Sequence, residues 1–317
     1  MRSITYSAPG KIFISGEHAV VYGKPALVTA VNKRLAFTLY VQDHNSLPAN
    51  KSHEGVAHIK SVVQDYLKKH NLRLSNTPFI YHITSDIPVR SGMGSSAALC
   101  VSAVAAFLHW YTGKAYNKEI INSLAHTAEH YFHGKSSGVD VSAATYGGLI
   151  YYRKEFEFLK NISSLHMKIP QVIQQTLILI NSGKPKESTK QMVTQVGKLF
   201  NTQPKKTERI LQLLEKCTKR LTLAISQERL SFFRESLLKN HQALVKLGVV
   251  SKETQQLLQT LKPFGAGKIA GAGGNQHGSG YVLFSSDRIS ELQKKLDSMD
   301  INYLSFEPST EGVRKEE

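Results

Sequence analysis

The stretch Pro88-Val-Arg-Ser-Gly-Met-Gly-Ser-Ser-Ala-Ala-Leu99 brings two glycines and two adjacent serines to the point where an apolar run turns helical. Gly92 and Gly94 can take positive φ and add no side-chain bulk. Ser95 and Ser96 put hydroxyls where a helix start has unpaired N–H groups and the positive end of its dipole. Such a turn suits an anion, phosphate above all. It would equally serve as a capped helix start after a glycine turn. Upstream, Lys11 follows Pro9-Gly10 at the head of an apolar strand, and Glu17-His18 follow Gly16. An ammonium, a carboxylate and an imidazole make poor core, because each needs a partner or an opening. A cleft lining is the simpler account, and a solvated strand end the other. Downstream, Asp140 opens a short helix after Gly134-Lys-Ser-Ser-Gly-Val139, where it could serve as an N-cap, and Glu129 precedes it by eleven residues. Two acids returned by a loop to a phosphate turn point to magnesium and to a hydroxyl that gives up its proton. A last glycine run, Lys268-Ile-Ala-Gly-Ala-Gly-Gly274, lets main chain approach a ligand or another loop at Gly271, Gly273 and Gly274, or joins a hairpin.

The elements that must carry these residues alternate between strand and helix in the first half. Strands are expected over 11–14, 36–41 and from Phe79, and helices over 56–69, from Ala97 to the Thr112-Gly113 stop, and over 117–131 with Asn117 as N-cap. Gly147-Gly148 turns the chain into a strand over 149–153. After Ile180 lysine-rich helices are expected over 186–200, 205–225 and 227–247, followed by strand, glycine loop, strand, helix and a strand ending near Phe306. That change of character divides the chain into domains at 1–170 and 171–317, with 311–317 read as a loose polar tail.

Composition narrows the function classes. With 41% hydrophobic and 20% charged residues, the 317-residue chain is ordinary globular protein, long enough for two cores. Its 40 Lys and Arg against 24 Asp and Glu give a formal charge of +16. The lysines are spread through amphipathic helices and no basic, aromatic-rich strand offers a base-stacking platform, so the charge favours small anions rather than nucleic acid. Cys100 and Cys217 stand far apart in helical stretches, which suggests neither a disulfide framework nor a metal spacing. No apolar leader or membrane-spanning run is read, so a cytoplasmic setting is expected.

Taken in order, Pro-Gly-Lys11 with Ser-Gly-Glu-His, then Ser-Gly-Met-Gly-Ser-Ser-Ala-Ala-Leu99, then His-Gly-Lys-Ser-Ser-Gly-Val-Asp140 and Gly-Ala-Gly-Gly274 resemble the GHMP kinase superfamily from residue 8 to about 284. Within it, Gly16-Glu-His-Ala-Val-Val-Tyr-Gly-Lys-Pro-Ala-Leu27 is most similar to the mevalonate kinases, as is the Ser-Thr segment at 181–193. The acid–His–Thr–Asp run of galactokinases is absent. The resemblance implies an α+β fold of two domains, the N-terminal one ribosomal protein S5 domain 2-like and the C-terminal one ferredoxin-like. It implies ATP-dependent phosphorylation of the mevalonate 5-hydroxyl. The alternative is another GHMP kinase, acting on phosphomevalonate, a mevalonate derivative or a sugar.

Carried over residue by residue, the resemblance implies that Gly92, Met93, Gly94, Ser95, Ser96 and Ala97 wrap the ATP phosphates, while Ser96 and Glu129 hold Mg2+. Asp140 would accept or orient the proton of the substrate hydroxyl, with Lys11 paired to it and stabilising the attacking oxygen. Glu17 and His18 would line the mevalonate site, and Thr189 would approach the γ-phosphate or else serve as an ordinary helix N-cap. Apart from the resemblance, Arg153 at a strand end is read as the contact for the substrate carboxylate, because a planar guanidinium binds it bidentately, or as a surface strand end. A silent relative would have lost Lys11, Ser96, Glu129 or Asp140, and all four are present. Members of the resembled family are often dimers, so a homodimer is possible, and composition leads to the expectation of no nucleic-acid or membrane partner. One departure stands out, since Gly274 is followed by Asn275-Gln-His-Gly-Ser-Gly280 where mevalonate kinases continue in glycines, which makes the loop longer.

Overall fold

The computed structural model describes residues 3–41, 54–88, 91–133, 136–154, 160–165 and 167–317. The first part runs β1 (Ser3–Ser15), β2 (Ala26–Val41), α1 (Glu54–Lys69), β3 (Phe79–Ser85), α2 (Ser95–Thr112), α3 (Lys118–His133), α4 (Val139–Tyr146), β4 (Leu149–Lys154) and β5 (Lys160–Leu165). The second runs α5 (Gln171–Gln174), β6 (Leu177–Asn181), α6 (Thr189–Thr202), α7 (Pro204–Ser226), α8 (Leu230–Leu247), α9 (Lys252–Leu261), β7 (Gly265–Ile269), β8 (Tyr281–Ser286), α10 (Ile289–Asp297), β9 (Tyr303–Ser305) and β10 (Arg314–Lys315).

Among the described residues the strands form two sheets. One has the order β10-β1-β2-β4-β5, with β3 sharing the far half of β2, and the other has the order β7-β8-β6-β9. The second order, with helices between its first and second and its third and fourth strands, is that of a ferredoxin-like split βαβ unit. The molecule is therefore α+β, as expected.

β1 is far longer than the four-residue strand expected at Lys11. Pro9-Gly10 reads as a turn, yet the chain keeps pairing with β2 through it, from Ser3 opposite Tyr40 to Ser15 opposite Leu27, by slipping register between Pro9 and Gly10 and again between Phe13 and Ser15. A bulge absorbs the missing proline donor without ending the strand. Gly10 also serves packing, because a Cβ there would stand 2.9 Å from the Met93 carbonyl oxygen.

α2 lies against β1 and β2 with α1, α3 and α4 around it. Its alanines and apolar residues from Ala97 to Leu108 are buried, so small side chains let the backbone come close to the sheet. Among the described residues this is the one helix long and apolar enough to cross a membrane, and most of it is enclosed by the fold. α7 and α8 form a helical hairpin whose inner side meets β1 and β7, joining the two sheets.

Short buried elements escaped the sequence. β6 is the run Leu-Ile-Leu-Ile-Asn181, apolar without alternation, and periodicity does not reveal such a strand. The tail is not loose. Arg314–Lys315 pairs with β1 opposite Ser7 and Tyr6, across the division expected at 170/171, and Val313 is buried. Arg34 holds this segment by donating to the carbonyls of Gly312 and Ser7. At Gly312 a Cβ would come 2.1 Å from the Thr145 carbonyl oxygen, so the tail presses directly on the end of α4.

Gly312→Ala is expected to cost roughly 2–3 kcal/mol by prising the tail from α4. Gly197→Ala, inside α6 and facing only the Tyr22 hydroxyl at 3.8 Å, is expected to gain about 1 kcal/mol of helix propensity. Urea midpoints of the two variants should therefore move in opposite directions.

Candidate active site

The phosphate-type turn is built as its residue types require. Gly92 and Gly94 take φ of 80° and 77°, and Gly94 is the N-cap of α2. A glycine cap has no side chain to cover the first amide groups of the helix, which leaves an anion-binding end. Met93 is buried and pins the loop to the core, while Ser95 and Ser96 sit half-buried on the first turn. Val89 and Arg90 lie outside the described residues.

Lys11 enters this turn from the side. Its amide donates to the Met93 carbonyl at 2.9 Å, and its ammonium donates to the Gly92 carbonyl at 2.8 Å. The same ammonium lies 3.1 Å from Asp140 Oδ2 and 4.6 Å from the centre of the Phe13 ring. Gly94 clears the way, since a Cβ there would stand 3.0 Å from Lys11 Cγ. The N-cap of α4 is Gly138 with φ of 84°, not Asp140. Asp140 instead lies in the first turn, where the helix dipole favours a carboxylate. The Lys11 side chain is 4% exposed and that of Asp140 28%, so the carboxylate opens outward with the ammonium behind it.

Glu129 is buried at the end of α3 and accepts from the Ser136 hydroxyl, which also accepts from the Gly138 amide at 3.1 Å. That link ties the second acid to the entrance of α4, the helix that carries Asp140. Burial raises the Cys100 thiol well above its usual range, and the nearby Glu129 carboxylate adds to the rise. Among the described residues no three His, Cys, Asp or Glu side chains gather as a metal site. One carboxylate and one hydroxyl from Ser96 are hard oxygen donors that suit Mg2+ only when phosphate oxygens and water complete the shell.

Glu17 and His18, expected to line the substrate site, face the third glycine run. Glu17 is 1% exposed and bonds Lys268, itself 0% exposed, which also donates to the carbonyls of Phe13 at 2.8 Å and Ile14 at 3.3 Å. Burial pushes the Glu17 carboxyl up against the pull of Lys268, and burial pulls Lys268 down against the opposing pull of Glu17. Removing one member of such a pair costs about 3–5 kcal/mol. His18 has φ of 59°, a strained backbone for a side chain of its size, and its Nε2 bonds the Ala272 carbonyl at 2.9 Å. Burial lowers the imidazole pKa, so the ring is a neutral donor. Sequence reasoning did not single out Lys268. Its signal was the one that marked Lys11, a lysine inside an apolar strand beside glycines.

The third glycine run approaches other loops. At Gly271 a Cβ would meet Gly92 Cα at 3.0 Å, and at Gly273 the Val249 carbonyl oxygen at 2.0 Å. Its extension is anchored, with Asn275 donating to Gln195 at 2.6 Å and the Gly278 amide to Glu253 at 3.0 Å. Arg153 donates to the Gly23 carbonyl at 3.1 Å and its charge acts on Glu215 of α7, which places it at the loop after His18. Thr189 is exposed on the first turn of α6, and the cap is Ser188, in a reciprocal box with Gln191.

The GHMP kinases N terminal domain model matches residues 57–148. A mevalonate kinase from Archaeoglobus fulgidus is 31% identical over 316 residues, covering 98% of this chain and 99% of that protein. One from Thermococcus gammatolerans is 30% identical over 98% of each. The chain belongs to the mevalonate kinase family of GHMP kinases. The family fold is seen in the Methanococcus jannaschii mevalonate kinase structure, which superposes with a TM-score of 0.78 at 21% identity over 97% of this chain and 98% of that one. Membership makes the chain an ATP-using kinase.

Beside Lys268, His241 on α8 has its Nδ1 buried without a hydrogen-bond partner among the described residues, and burial lowers its pKa from 6.5 to about 4. Between those values the unfolded chain binds the proton and the folded one does not. Stability is then full above pH 6.5 and falls as pH drops toward 4, by about 3 kcal/mol. His241→Phe should flatten that acid limb, measured as the loss in urea midpoint between pH 7.5 and pH 5.

Proposed function

We propose that this protein transfers the γ-phosphoryl group of ATP to the 5-hydroxyl of mevalonate, giving 5-phosphomevalonate and ADP. The observation that carries the reading is the Lys11–Asp140 pair set at 3.1 Å against the glycine turn, in a chain of the mevalonate kinase family.

In this reading the amides of Gly92 through Ala97 and the dipole of α2 hold the phosphates. Mg2+, held by Ser96 and Glu129, would neutralise charge on the transferred group. Asp140 is the more exposed member of its pair, so it accepts the hydrogen of the substrate hydroxyl and aims the oxygen at phosphorus. Lys11 stabilises the negative charge that grows on that oxygen, from a site already fixed by Gly92 and Phe13. Fixing the donor beforehand means that little reorganisation is needed during transfer. Arg153 and Thr189 stand in this reading as carboxylate and γ-phosphate contacts that the bound substrates would recruit. A cytoplasmic setting suits two soluble, anionic substrates.

The test is coupled ADP release with Mg-ATP and, separately, mevalonate, phosphomevalonate, galactose and homoserine. Turnover is expected on mevalonate, with Asp140→Asn lowering kcat by about 10²-fold or more. Turnover confined to another acceptor, or an undiminished Asp140→Asn variant, would overturn the assignment.

A further inference from the structure

The end of β1 has an energetic problem that the ladder with β2 does not solve. Register slips between Phe13 and Ser15, so Ile14 has no partner residue across the strands. A bulge of this kind leaves polar main chain to be satisfied elsewhere, and bulges recur beside active sites because they re-aim a strand. Here the carbonyls of Phe13 and Ile14 are both met by the ammonium of Lys268, reaching from β7 of the other sheet. The Phe13 amide is held from the same side, donating to the Ala270 carbonyl at 3.2 Å. Both polar groups of the Phe13 backbone are thus fixed by the segment 268–270. The Phe13 ring in turn lies 4.6 Å from the Lys11 ammonium.

Charge balance follows the same geometry. The Lys11 charge disfavours that of Lys268, and Glu17 offsets this from its buried position against Lys268. A lysine with no exposed surface is a costly way to join two sheets if packing were all that was needed.

We propose that Lys268 is a positioning residue for phosphoryl transfer. It grips the Phe13 bulge and through the Phe13 ring holds the Lys11 ammonium against Asp140. The inference rests on the kinase reading of the Lys11–Asp140 site.

Lys268→Met alone strands the Glu17 charge, so the variant to use is the pair Glu17→Gln with Lys268→Met, which removes both charges together with the grip on Phe13. In the folded pair variant kcat is expected to fall by about 10²-fold, the scale of a misplaced catalytic group, while KM for ATP stays within about threefold. Phe13→Leu should reproduce most of that loss, and the combined variant should lose little more than the larger of the two, because both act on one element. A kcat within about twofold of the unmodified protein, in either variant, would overturn the proposal, as would fully multiplicative losses.

A crystal structure of the pair variant gives a readout independent of substrate. The Lys11–Asp140 separation should exceed about 4 Å, the limit of an ion pair, and an unchanged 3.1 Å contact would overturn the proposal. If the unmodified protein fails to phosphorylate mevalonate, the functional reading falls while this structural comparison still decides the role of Lys268.

Discussion

A buried ammonium dictates much of this architecture. Lys11 is held by one carboxylate, one carbonyl and one aromatic face. Taking such a charge out of water is tolerable only when its partners are fixed in place. Those partners come from different parts of the chain. The Gly92 carbonyl requires the glycine turn before α2, Asp140 requires α4 to begin at Gly138, and Phe13 requires the bulge at the end of β1. Two of the surrounding glycines permit approaches that a side chain would block, Gly10 against Met93 and Gly94 against the Lys11 stem. The ion pair is therefore a common constraint on three segments distant in sequence.

The two sheets meet at the same place. Lys268, Ala270, Gly271 and Ala272 of the second sheet and its following loop contact Phe13, Gly92 and His18 of the first. The glycine turn before α2 and the end of β1 are thus braced from behind by a segment that supplies main chain and one buried charge. On the far side, the C-terminal tail presses on the end of α4 and adds a strand to β1. The elements carrying Lys11 and Asp140 are supported at both ends, which suits a site that must present its charge without reorganising.

How much of this was legible follows from the physics of each signal. The glycine turn, α2, α3 with its Asn117 cap and the lysine-rich helices are marked by local chemistry, and each formed close to its expected place. Lys11 and Asp140 could be singled out because a charge in apolar surroundings demands a partner, and the resemblance paired them. Glu17 and His18 were singled out for the same reason, but spacing could not reveal that their partners lie more than 250 residues away, at Lys268 and Ala272. The full length of β1 was hidden by Pro9-Gly10, because a bulge and a turn share one composition. The tail looked loose because its hold depends on Arg34 and on the close fit of Gly312, neither of which is a property of the tail's own sequence.

The most direct measurement is a crystal structure with mevalonate, a non-hydrolysable ATP analogue and Mg2+ bound together. The account predicts the mevalonate 5-hydroxyl within about 3 Å of the Asp140 carboxylate, Lys11 still on Asp140 and Gly92, and the terminal phosphate over the turn from Gly92 to Ser96. A complex in which the hydroxyl meets some other group while Asp140 and Lys11 remain paired away from both substrates would contradict it.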